Sequence, residues 1–64
     1  MARYFVWVEG LRGPTPQLWE HEPVDGNGKP IKTTLSKRQL VGAEQTLSLD
    51  YLAMKYPYVN NSSI

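Results

Sequence analysis

The chain has 64 residues, 41% of them hydrophobic, and sets seven Lys and Arg against six Asp and Glu for a net charge of +1. That is one small domain at most, too apolar for a disordered chain and too interrupted for a membrane span. With no cysteine and one histidine, His21, the composition excludes disulfide scaffolds, thiol nucleophiles, zinc fingers and multi-histidine metal sites.

Arg3 to Glu9 (RYFVWVE), β-branched and aromatic from Tyr4 to Val8, predicts a strand. Alternation places Phe5 and Trp7 on one face and Tyr4, Val6 and Val8 on the other. Both faces are apolar, so the strand is expected to be central and covered on both sides, by the chain itself or by a partner. Gly10 to Pro16 carries two glycines and two prolines and reads as a loop. Gln17 to Glu22 (QLWEHE) alternates weakly and predicts a second, antiparallel strand. Its Trp19 face is expected to be buried and its Leu18, Glu20 and Glu22 face wet.

Asp25-Gly26-Asn27-Gly28 is a turn signal, flanked by Pro23 and Pro30. Neither proline can donate to a ladder, so a third strand over Ile31 to Thr34 would lie at an edge. Ser36 and Gln39 then form a capping box, with Leu35 and Leu40 as its hydrophobic staple and Gly42 as a stop. A short helix over Lys37 to Val41 is predicted. Leu47-Ser48-Leu49-Asp50 repeats this pattern, and Leu49, Leu52, Ala53 and Tyr56 share one helical face. A helix over Leu49 to Tyr56 follows, ended by Pro57.

The predicted fold is α+β: a two- or three-stranded antiparallel sheet packed by a C-terminal helix, with a short helix before it. Residues 1–58 make the domain and 59–64 a frayed tail. The core is expected to hold Phe5 or Tyr4, Val6, Val8, Trp19, Leu40, Leu49, Leu52, Ala53 and Tyr56. The large rings, Tyr51 and Tyr58 included, should supply much of it.

Sites of chemistry are scarce. A calcium loop at Asp25 fails, because Lys29 and Pro30 stand where an oxygen ligand and a glycine belong. Gly28-Lys29 lacks the rest of a phosphate loop. Gly10-Leu11-Arg12-Gly13 matches the GxxG of KH domains, but a strand precedes it where a helix belongs. On a strand Glu20 and Glu22 point away from His21, so the three cannot converge as ligands. No cofactor or metal is implied, and the expectation is a protein that is not an enzyme.

Two surfaces stand out. Tyr4, Trp7 and Trp19 are candidate partner-binding rings, because one short helix covers one face of a sheet and leaves the other for a second copy or another protein. Lys29, Lys32, Lys37 and Arg38 put four of the seven basic residues in one stretch without an acid. That stretch is the candidate anion or nucleic-acid patch, although a net charge of +1 and a pI near 8.1 fall short of dedicated nucleic-acid binders. The Met1-Ala2-Arg3 start precedes an apolar run too short for a secretory signal. A cytoplasmic interaction or accessory module without membrane attachment, binding another protein or a second copy of itself, is expected, with nucleic-acid binding the alternative.

Overall fold

The computed structural model describes residues 3–59. The expected tail thus lies, beyond Val59, outside the described residues. Among those described, strands β1 (Arg3–Gly10), β2 (Gly13–Trp19) and β3 (Thr34–Leu40) precede a 3₁₀ helix (Gly42–Thr46) and helix α1 (Leu49–Lys55). The three strands form one antiparallel sheet in the order β2-β1-β3. The α+β class holds, and β1 is the central strand.

The first strand matches its sequence signal, and β2 does not. Pairing begins at Gly10 with Gly13, leaving only Leu11 and Arg12 as the turn. Gly13 adopts φ +105°, a conformation that glycine alone enters without strain. A Cβ at Gly10 would lie 2.9 Å from the Thr15 hydroxyl. Pro14 and Pro16, read as loop markers, sit within the strand. Glu20 to Glu22 lies outside it. Leu18, opposite Phe5, packs on the helix-side core, whereas Trp19, opposite Tyr4, is half-buried on the other face. Leu18, expected to be wet, thus packs on the core, and Trp19, expected to be buried, is half-buried, because the expected strand continued past Trp19 and its faces followed the wet Glu side.

The region around β3 departs most. Ile31 to Thr34 forms a turn closed by a hydrogen bond of 3.0 Å from the Thr34 N–H to the Ile31 carbonyl. Residues 34–40 form the third strand, which takes in most of the helix predicted over Lys37 to Val41. A five-residue helix fixes many dihedrals for few hydrogen bonds. Pairing with β1 satisfies the same backbone and buries Leu40 against Phe5. The register shifts between Trp7 and Val8, where Leu35 bulges out. Gly42 does not stop a helix but opens the 3₁₀ turn, with φ +59°.

α1 is capped as predicted: the Ser48 hydroxyl accepts from the Tyr51 N–H at 3.2 Å, and Asp50 lies in the first turn. Leu52, fully buried, meets Phe5 and Leu40, and Leu49, Ala53, Tyr56, Trp7, Leu18 and Leu47 pack around them. Ser48→Ala should cost about 1 kcal/mol of stability, readable as a lowered urea midpoint with an unchanged slope. An unchanged midpoint would contradict this capping.

The other face of β1 is covered by the segment between β2 and β3. Lys37 stands opposite Val6, so it shares that face, and it is ion-paired with Glu22. Pro23 beside Glu22 is fully buried. The turn beyond is held by the Asp25 carboxylate, which accepts from the N–H groups of Asn27 (2.8 Å) and Lys29 (3.0 Å). As a result Phe5 is 2% exposed, Val6 0% and Val8 8%. The expectation that one face of β1 lacks cover is thereby corrected at Val6 and Val8, on the side of the 14-residue connection from 20 to 33, which has no helix or strand, while Tyr4 and Trp19 on that face stay half-buried. Nor do the rings fill the core. Phe5 is the one deeply buried, and Tyr51 lies half in solvent.

Candidate functional site

The sheet has two edges, and they differ. The Glu9 N–H donates to the Thr33 carbonyl at 2.7 Å, so Glu9 faces β3. Backbone direction alternates along a strand. Trp7, Phe5 and Arg3 therefore also face β3, and their partners Ser36, Arg38 and Leu40 face β1 in return. Lys37 and Gln39, between them, turn their N–H and C=O groups away from the sheet.

The same alternation points Val8, Val6 and Tyr4 at β2. Their partners Thr15, Gln17 and Trp19 face inward, and Pro14, Pro16 and Leu18 face outward. Two of the three outward positions of β2 thus have no N–H to offer. Prolines on an edge blunt it against pairing with other strands. Within Thr34–Leu40 there is no proline, so the β3 edge keeps its donors.

A groove of about 360 Å³ opens beside the start of β3, lined by Leu35, Ser36, Pro57, Tyr58 and Val59. It lies on the α1 side of the sheet, because the Tyr58 ring stands 6.0 Å from that of Trp7. Trp7 is fixed in turn. Its indole N–H donates to the Tyr56 carbonyl at 3.0 Å, and its ring meets Phe5 edge-on at 5.7 Å.

The middle of β3 carries a charged cluster. The Arg38 guanidinium lies 4.1 Å from the centre of the Tyr56 ring and 3.8 Å from the Glu44 carboxylate. Lys55 reaches the same carboxylate at 3.7 Å. The Tyr56 hydroxyl donates to Glu44 as well. Its hydrogen bond is the chief reason that the Glu44 carboxyl lies below its ordinary value of 4.5, with Arg38 and Lys55 adding to it and partial burial opposing. Lys55 is raised, first by its polar contact with the Tyr56 hydroxyl and then, among others, by Glu44.

A carboxyl lowered by folding stabilises the fold above its ordinary value, and that contribution is lost as pH falls through the lowered one. The melting-temperature gap between the wild type and Glu44→Gln should therefore be present at pH 7 and narrow as pH falls below 4.5 through the lowered value. A gap independent of pH would show that the cluster does not depend on the Glu44 charge.

The rings and cations singled out in the sequence do not form single surfaces. Tyr4 and Trp19 pair across β1 and β2, while Trp7 lies on the opposite face. The Trp19 indole donates to the Gln17 side chain at 2.9 Å. Lys29 and Lys32 lie exposed in the 20–33 connection. Lys37 and Arg38, neighbours on a strand, project to opposite faces, towards Glu22 and Glu44 respectively.

Among the described residues no three His, Asp or Glu side chains converge as a metal site. None of their helices is long and apolar enough to cross a membrane. Gln39, Leu35 and Tyr58, which mark the open edge and its groove, stand out in the sequence only as capping and core residues and not as site residues. Pro14 and Pro16, two residues apart in β-prone company, are the signal that could have identified β2 as the blunted edge. Comparison with models of protein families, with curated proteins and with solved structures finds no match.

Proposed function

We propose that this chain is a small non-enzymatic interaction module that receives an extended segment of another protein along the β3 edge. The observation carrying this reading is the asymmetry of the edges: prolines blunt β2, while Lys37 and Gln39 leave β3 with outward donors and acceptors. Strand addition takes affinity from such backbone groups and specificity from pockets beside them. The groove at Leu35 and Tyr58 supplies a pocket. Gln39→Pro removes an outward N–H without touching the β1–β3 ladder, which makes it a clean probe. Quantitative affinity capture should show a set of proteins held by the wild type and lost by Gln39→Pro. An identical set from both would overturn the reading.

Nucleic-acid binding through residues 29–38 has less support, because Lys37 and Arg38 project to opposite faces and do not form one basic surface.

A further inference from the structure

Resting on the strand-addition reading, we infer that the occupant of the β3 edge is an acidic extended segment with an Asp or Glu two residues before a large apolar residue, lying antiparallel to β3. An added strand would meet β3 at alternating positions. Lys37 and Gln39 would hydrogen-bond to it. Ser36 and Arg38 would stand opposite it in the non-hydrogen-bonded pairs, where side chains approach most closely.

Ser36 and Arg38 lie on the α1 side, and Ser36 lines the groove together with Leu35, Pro57, Tyr58 and Val59. The incoming residue opposite Ser36 would thus place its side chain at the groove, beside the side chains of Leu35, Pro57, Tyr58 and Val59. The incoming residue opposite Arg38 would meet a guanidinium. These two incoming residues are two apart in sequence and share a face. In an antiparallel strand the one facing Arg38 comes first, so the order is acidic, any residue, apolar.

Charge favours this occupant over a second copy paired about the middle of β3. Lys37 and Arg38 on β3, with Lys55 beside them, outnumber their carboxylate partners Glu22 and Glu44. Two copies paired antiparallel about the middle of β3 would set Lys37 against Lys37, or Arg38 against Arg38. Like charges directly opposite are destabilising, and opposite charges stabilise. The existing ion pairs do not close the site. The side chains of Lys37 and Arg38 remain 43% and 51% exposed, and exposed pairs of this kind hold weakly.

The test is an NMR titration of the ¹⁵N-labelled chain with the blocked peptide Ac-STDTLTS-NH2 and its control Ac-STKTLTS-NH2. The Asp peptide is expected to shift the amides of residues 36–39 and the Trp7 indole N–H, and to bind about fivefold more tightly than the Lys peptide. Gln39→Pro should abolish both titrations. Equal binding of the two peptides at β3 would overturn the acidic specificity and leave strand addition standing. Undiminished binding to Gln39→Pro would overturn both. Absence of binding by the Asp peptide at millimolar concentration would overturn the inference, as would a wild-type dimer that Gln39→Pro converts to monomer.

Discussion

Leu52→Ala is expected to lower stability by about 3 kcal/mol and leave much of the chain unfolded at 25 °C. Leu52 is the buried residue of α1 and is fully enclosed. It closes a cluster whose other deeply buried members are Phe5 and Leu40. Truncation removes its transfer free energy and leaves a cavity that a core of this size has few side chains to refill. A domain this short has a net stability of only about 3–5 kcal/mol, so one such loss is decisive. Urea unfolding followed by circular dichroism measures it. Met54, two residues along and 80% exposed, is the control: Met54→Ala should stay within about 0.5 kcal/mol. A Leu52→Ala loss no larger than the Met54→Ala loss would mean that α1 is not docked on the sheet as described.

A pair of proline substitutions on β3 should differ by about 2 kcal/mol. Ser36 pairs with Trp7 and faces β1. Ser36→Pro deletes that N–H and leaves a carbonyl of the central strand without its partner, at about 2 kcal/mol. Gln39→Pro deletes an N–H that already faces water, and its cost should be within about 0.5 kcal/mol. The two positions are both exposed and three residues apart, so burial does not account for the difference. Equal losses in thermal unfolding would contradict the assigned backbone directions.

The parts of this fold that local chemistry decides were legible in the sequence. Aromatic and β-branched residues alone fill Tyr4 to Val8, and that run became the central strand. Ser48 capped α1, and the spacing of Leu49, Leu52, Ala53 and Tyr56 gave its buried face. The 25–28 turn formed where Asp25 could bind two backbone N–H groups.

What sequence reading missed was set by tertiary pairing. Ser36 and Gln39 form a sound capping box, yet β1 offered residues 34–40 a full ladder and a buried seat for Leu40. That reward exceeds anything a five-residue helix returns. Pro14 and Pro16 suggested a loop because the edge position that tolerates them is defined by the strand order, which the sequence does not display. The same misreading hid the functional candidate. With residues 37–41 taken as helix, Lys37 and Arg38 looked like one basic patch, whereas a strand sends them to opposite faces. The clasp of Glu44, Lys55, Tyr56 and Arg38 was likewise out of reach, since it joins three elements through side chains up to 18 residues apart (Arg38 to Tyr56).

The free edge of β3 is tested most directly by native-state amide hydrogen exchange at residues 36 to 40. The backbone directions described here predict alternation: Ser36, Arg38 and Leu40 slow, with Lys37 and Gln39 exchanging near the rate of an unstructured chain. Uniform protection across all five amides would show that another strand already occupies that side.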